Sequence, residues 1–310
     1  MRRILLSLMK NMNVIPDISV IVASKNGQET IEECLTSIEK QKENQLLEII
    51  VVTDNSKNGT SQIIKNRFPG VKLIELSKPT LIPYLWSAGI EAASGEILAI
   101  TIAQCIPTID WVHKLIESLK PPYSAVGGAI ENSETASLTD WALYFCRYSN
   151  YMPPFDEREV LDMAGDNAAY KRKALETYKE IIKRGFWENI VNAALINDGL
   201  KILLTPNIVT VYKNSYGIIS FSIQRIFHGY HYGHKRSAPF PIIKRFVFIL
   251  ASPLIPFIHL YRIAHRVMNR NRHVRKLILS LPILFIFLLC WSVGENCGYI
   301  SGIFKKHESP

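Results

Sequence analysis

Three hundred and ten residues, 48% of them hydrophobic at mean hydropathy +0.09, allow one large α/β domain with an appendage, and part of the chain is expected to meet lipid. The formal charge of +9 is split: residues 1–212 are net −3, whereas residues 213–310 hold 14 Lys and Arg against 2 Asp and Glu, together with seven of the eight histidines. Such a tail seeks an anionic membrane face rather than nucleic acid, since no zinc-finger spacing or aromatic-plus-basic platform occurs, and five scattered cysteines without a Cys-x-x-Cys pair point to neither a disulfide framework nor a zinc site.

Residues 1–16 form a leader whose apolar stretch, Ile4 to Met9, is shorter than the ~7–15 residues of a secretory signal. The apolar run from Ile18 to Ala23 then predicts a strand that breaks into Ser24-Lys25-Asn26. Ile31, Leu35 and Ile38 place a helix over Glu29 to Gln41, and Leu46 to Val52 is a second strand that delivers Asp54 at its end. This β-α-β unit presents two parallel strand ends on one sheet edge, where open α/β sheets bind ligands. A helix over Gly59 to Arg67, a strand over Val71 to Leu76, a helix from Ile82 to Ala93 stopped at Gly95 and a strand over Glu96 to Ile102 follow. A helix opens after Pro107, capped by Thr108 or Asp110, and Tyr123 to Ile130 reads as a further strand.

The aromatic stretch Trp141, Tyr144, Phe145, Tyr148, Tyr151 has helical spacing that suits either core packing or an acceptor pocket. Asp166-Asn167 precede a predicted Lys- and Arg-rich helix, Glu188 precedes a helix over Asn189 to Asn197, and short strands over Lys201 to Leu204 and Ile208 to Tyr212 close the domain. Two hydrophobic segments, Phe246 to Ile263 and Leu277 to Val293, flank a strongly basic connector. Two true spans would put that connector opposite the other basic flanks, against the positive-inside tendency, whereas a hairpin embedded in the cytoplasmic leaflet satisfies every charge.

The strand ends at Ala23 to Asn26 and Asp54, with Leu85 to Ile90, Ala93 to Ala99, Ala164 to Arg172 and Gly185 to Glu188, resemble the nucleotide-binding half of family 2 glycosyltransferases, over roughly residues 17–236. The resemblance implies a Rossmann-like, α/β nucleotide-diphospho-sugar transferase (GT-A) domain over residues 17–215, a nucleotide-sugar donor and an inverting transfer. The charge and hydrophobicity of the tail add the expectation of a basic amphipathic junction over 216–245, a membrane-associated helical hairpin and tail over 246–310, a place on the cytoplasmic side of a membrane and a lipid-linked or glycan acceptor.

By the same resemblance Asp54 grips the base or ribose, Ala23, Ser24 and Asn26 form the turn that admits the nucleotide, and Ser56, Ala88, Thr101 and Gln104 complete the donor site. Asp54 also suits a plain turn cap. The family's metal-binding Asp-x-Asp falls on Ile102-Ala103-Gln104, so a Mg or Mn site is not expected and no cofactor is assigned. The diphosphate and acceptor then fall to Asn167, Lys171, Arg172 and Trp187, with Arg225, His228, Lys235 and Arg236 at the junction, a cluster that equally suits lipid headgroups. Glu188 is the expected base, its pKa raised by Trp187, or else a helix-start acid favoured by the macrodipole. Asp166 is the second choice, or an N-cap. The missing acids also leave room for a catalytically lapsed, membrane-tethered scaffold.

Overall fold

In the computed structural model, residues 15–41, 46–54, 59–213, 216–238 and 240–304 are described, so nearly all of the leader lies outside them. They fall into two compact units, one within Met1–Glu131 and Pro153–Ser215, the other within Asn132–Met152 and Tyr216–Pro310.

The first unit begins with β1 (Ile18–Ser24), α1 (Ile31–Glu39), β2 (Leu47–Asp54), α2 (Thr60–Arg67), β3 (Lys72–Leu76), α3 (Ile82–Ala92) and β4 (Ile97–Ile102). Alternating strands and helices of this length give parallel pairing, and β1 lies between β2 and β4 in parallel with both. Because helices cover both faces, all seven residues of β1 are buried, which is why its sequence is small or apolar throughout rather than alternating with charged residues. Ile31, Cys34, Leu35 and Ile38 of α1 join the core from one side. Burial pushes the Cys34 thiol up to about 12, and none of the five cysteines is in a disulfide among the described residues.

Next come β5 (Cys105–Pro107), α4 (Trp111–Ser118) and β6 (Tyr123–Asn132). After α5 (Leu138–Tyr148) the chain adds β7 (Arg158–Glu159), β8 (Asn167–Lys171), the short α6 (Arg172–Leu175) and α7 (Lys179–Lys183), α8 (Glu188–Asn197) and β9 (Lys201–Tyr212). The sheet order is β3-β2-β1-β4-β8-β6-β9-β5, with β7 on β9. Two expectations are corrected here. Residues 167–171 form an antiparallel strand between β4 and β6 instead of a helix from Ala168, and the two short strands near the end of the domain are one strand, β9. Ala168, Ala169 and Tyr170 are fully buried, so tertiary pairing overrides the helix propensity of an alanine-rich run.

The second unit is helical. It contains α5 and then α9 (Ile218–Ser237), α10 (Ile242–Ala251), α11 (Ile255–Asn269) and α12 (Val274–Phe304). A capping box between Ser137 and Asp140 starts α5, and its aromatic face is buried: Trp141 lies 4.5 Å from the His273 ring between centroids, and Lys276 Nζ stands 5.8 Å from the centroid of the Trp141 ring. The aromatic stretch therefore packs within the helical unit. Helix α9 meets α12 backbone to backbone. A Cβ on Gly229 or Gly233 would stand 2.3 Å from the Trp291 or Glu295 carbonyl oxygen, and one on Gly294 or Gly298 would stand 2.0 or 2.3 Å from those of Ile226 or Tyr230. Two reciprocal Gly-x-x-x-Gly pairs make this approach possible. Beside them Glu295, 2% exposed, accepts from Trp291 Nε1 at 2.9 Å, from the Tyr299 hydroxyl, and from Arg236 Nη1 at 3.4 Å.

Two stretches, Ile242–Asn269 and Val274–Ser301, are long and apolar enough to cross a membrane by length and composition, and they form a C-terminal hydrophobic helical hairpin. Both extend beyond the hydrophobic segments read from sequence. A 3-10 turn at Ser252–Leu254 interrupts the first, beside Pro253 and Pro256, whereas Pro282 lies inside the continuous α12.

Candidate active site

The order in which strands join the sheet reverses between the parallel neighbours β1 and β4, and the crevice outside their carboxyl ends is where such sheets take ligands. Asn26 turns the chain after β1 with φ of 55°. Gly27 follows because a Cβ there would lie 2.4 Å from Ser24 Oγ and 2.7 Å from Ala103 Cβ. Gln104 closes the crevice from the β4 side, its Nε2 donating to the carbonyl oxygens of Lys25 at 2.9 Å and Asn26 at 3.4 Å.

Asp54 stands on the same edge, one position beyond the Ser24–Thr53 register pair. It is 4% exposed, and its Oδ2 accepts the Thr80 backbone N–H at 3.1 Å. Lys25 Nζ lies 4.0 Å from that oxygen and donates to the Thr80 carbonyl at 3.0 Å. Lys25 and Thr80 thus belong to the carboxylate's surroundings, although the sequence reading passed over both. Lys25 sits inside the Ser24–Asn26 turn, so its position was visible; Thr80 arrives from the β3–α3 loop, which carries no signal.

Asp166 also belongs to this edge. Its carbonyl accepts from Thr101 Oγ1 at 2.8 Å, and Trp86 Nε1 donates to the Thr101 carbonyl at 2.8 Å. Glu188 opens α8, directly after Trp187, whose ring meets Tyr84 edge-on at 6.2 Å. Phe186 N–H donates to the Pro83 carbonyl at 2.8 Å, so the start of α8 is fastened to the start of α3. Asn192, one turn further along α8, accepts from the Tyr170 hydroxyl at 2.9 Å and donates to Asp162 at 2.7 Å. That amide ties Glu188's helix to the loop carrying Asp166, a link the sequence did not announce.

Other expected site residues fall elsewhere. Asn167 is fully buried and structural: its Oδ1 accepts from Trp111 Nε1 at 2.7 Å and its Nδ2 donates to the Ala129 and Ile208 carbonyls. Thr101 is likewise fully buried, Ala23 is a core residue, and Ala88 is half-buried on α3. Lys171 pairs with Ile97 at the beginning of β4, while Asn167 pairs with Thr101 at its end. Four residues of strand, about 13 Å, separate the two edges. Arg172 Nε donates to the Gly95 carbonyl at 2.6 Å on that far edge, so both residues follow the strand to the edge opposite the crevice. The junction residues lie on α9 in the helical unit. Arg225 is buried there with its guanidinium 4.7 Å from the Phe221 ring and 5.5 Å from the Trp291 ring, and Nη2 contacts His228 Nδ1 at 3.1 Å. Arg236 is engaged with Glu295, His228 and Lys235 are exposed, and Ser56 lies outside the described residues.

The residues at the end of β4 do not fit a divalent metal. Ile102 is apolar and buried, the Gln104 amide is turned to backbone carbonyls, and among the described residues no three His, Cys, Asp or Glu side chains gather around one point. A groove of about 640 Å³ beside α1 is lined by Glu29, Glu32 and Glu33, an acidic surface unsuited to a diphosphate.

The model of glycosyl transferase family 2 matches residues 19–179, more than half of the chain. The chain belongs to glycosyl transferase family 2. This family 2 glycosyltransferase is 25% identical to the dolichyl N-acetyl-alpha-D-glucosaminyl phosphate 3-beta-D-2,3-diacetamido-2,3-dideoxy-beta-D-glucuronosyltransferase of Methanococcus voltae, over 94% of this chain and 98% of that one. It is 29% identical to the dolichol-phosphate mannosyltransferase of Pyrococcus furiosus over a shorter stretch, 33% of this chain and 30% of the other. Among solved structures, the mannosyltransferase PcManGT of Pyrobaculum calidifontis, in complex with GDP-Man and Mn2+, superposes with a TM-score of 0.52 at 18% identity, covering 93% of this chain and 75% of that one. That likeness establishes the GT-A fold. The chain is a glycosyltransferase.

Proposed function

We propose that this glycosyltransferase moves a sugar from a nucleotide-diphospho-sugar onto a lipid-linked acceptor, by single displacement with inversion, on the cytoplasmic side of a membrane. The observation that carries the donor half is the Asp54 carboxylate, held at the crevice edge by Thr80 and facing Lys25. In this role Asp54 accepts hydrogen bonds from the base or ribose, and Lys25 supplies positive charge on the same edge. The Ser24–Asn26 turn brings backbone close to the nucleotide.

Glu188 takes the proton of the acceptor hydroxyl as that oxygen attacks the anomeric carbon and the nucleoside diphosphate leaves from the opposite face. Asp166, carried on the loop that Asn192 ties to α8, orients the sugar and acceptor. The full-length similarity to a Methanococcus voltae enzyme named for a dolichyl phosphate-linked substrate supports a lipid-linked acceptor. The hairpin supports membrane docking, and the basic residues on both of its flanks favour a hairpin held in the cytoplasmic leaflet. Protease cleavage within residues 262–276 from the opposite side of sealed vesicles would contradict that arrangement.

A panel of labelled UDP- and GDP-sugars incubated with membranes of the native host tests the reaction. One donor is expected to label a solvent-extractable lipid. The second reading is a scaffold without transfer activity, favoured by Gln104 binding the Lys25 and Asn26 carbonyls where the family places an acid. No label from any donor, with no thermal shift by UDP or GDP, would establish that reading instead.

A further inference from the structure

Asn192 has no exposed surface and lies on α8 between Val191 and Leu195, where the helix buries its apolar residues. A buried amide needs partners for its oxygen and for both of its N–H bonds. Asn192 finds them on two different segments. Its Oδ1 accepts from the Tyr170 hydroxyl of β8 at 2.9 Å, and its Nδ2 donates to Asp162 Oδ1 at 2.7 Å and to the Met163 carbonyl at 3.4 Å. Asp162 Oδ1 also accepts from the Met163 N–H at 2.9 Å, so the amide holds the beginning of the loop that ends at Asp166. The end of that loop is held separately. The Thr101 hydroxyl donates to the Asp166 carbonyl at 2.8 Å, and a Cβ on Gly165 would stand 2.8 Å from the Trp86 ring. Phe186 fills the space between these parts, its ring 6.5 Å from that of Trp86 and 5.2 Å from that of Tyr170 between centroids.

Glu188 precedes Asn192 by four residues, which puts the two on one face of α8. The amide bonds to β8 and to the loop therefore act on the face that carries Glu188. We propose that Asn192 is a positioning residue for transfer: it fixes the rotation of α8, and so sets where Glu188 stands against Asp166. The inference rests on the reading of Glu188 as the base. An apolar side chain at 192 would still pack α8 against the core, but it would leave the rotation to shape alone. Displacing a reacting group by about 1 Å is enough to cost on the order of 10²-fold in rate. Donor binding is expected to be untouched, because Asp54 and its partners lie on β2 and the β3–α3 loop.

The full-length protein is assayed for transfer from labelled UDP- and GDP-sugars to lipid in membranes of the native host. Asn192→Leu keeps a side chain of similar size and removes all three hydrogen bonds. Asp162→Ala removes one of them from an exposed position, where folding is not at stake. In each variant kcat is expected to fall about tenfold or more, with donor KM within about twofold of wild type and the thermal shift by UDP or GDP unchanged. The deciding measurement combines either variant with Glu188→Gln. No further loss of rate is expected in that background, because a misplaced base and an absent one have the same effect, whereas a merely structural contribution would multiply. Wild-type kcat in both single variants, or losses that multiply with Glu188→Gln, would overturn the proposal and leave Glu188 as the base. Full activity of Glu188→Gln, or no transfer from any donor by the wild type, would overturn both readings together.

Discussion

The side-chain amide of Gln104 donates to the carbonyl oxygen of Lys25 at 2.9 Å, joining the end of β4 to the turn after β1. An amide in that place binds backbone, whereas a carboxylate would bind a cation. Transfer is therefore expected to continue in excess chelator at close to its untreated rate. Abolition by chelator and recovery with Mg or Mn would show that a metal is held by other ligands. Gln104→Ala should also lower stability by about 1 kcal/mol, the usual net contribution of such a bond, read by thermal unfolding.

Glu188→Gln keeps the shape and the helix start but cannot take a proton. Turnover should fall about 10²–10⁴-fold, the range of general-base contributions, while the thermal shift with UDP or GDP stays at the wild-type value. Retention of most activity would remove Glu188 from the mechanism.

Asp54→Asn retains an oxygen for the Thr80 N–H while removing the charge beside Lys25. The expected outcome is a donor KM raised about tenfold or more, with a smaller effect on kcat, as for a group that binds the donor in ground and transition states alike. An unchanged KM would mean that the carboxylate serves only to shape the turn.

Gly294→Val places side-chain carbon where the Ile226 carbonyl oxygen already lies. Forcing α9 from α12 should lower stability by at least about 2 kcal/mol, the scale of overpacking in a close contact. Thermal unfolding in detergent measures this, and wild-type behaviour of both Gly294→Val and Gly233→Val would contradict the helix pairing.

The parallel core was legible because β1, β2 and β4 are predominantly apolar stretches separated by helical patterns, and β1 and β2 end in small or polar residues. The antiparallel strand β8 was not, since Asn-Ala-Ala-Tyr-Lys has helix-compatible composition and only its neighbours β4 and β6 decide its state. That one misreading also displaced the phosphate-binding expectation: a helix would have kept Lys171 and Arg172 near Asp166, whereas an extended strand carries them to the other edge. Gly229-x-x-x-Gly233 and Gly294-x-x-x-Gly298 were visible as spacings, yet their pairing with each other depends on a long-range contact. Asn192 gave no local signal at all, because its partners Tyr170 and Asp162 lie 22 and 30 residues away.

The carboxylate within α12 has a consequence for assembly. Alone in hydrocarbon, Val274–Phe304 would carry an acid with no cation beside it, whereas in the folded chain Arg236 reaches it from a helix that is synthesised earlier. The final helix is thus matched to its own predecessor and would make a poor anchor if transplanted to another protein without α9.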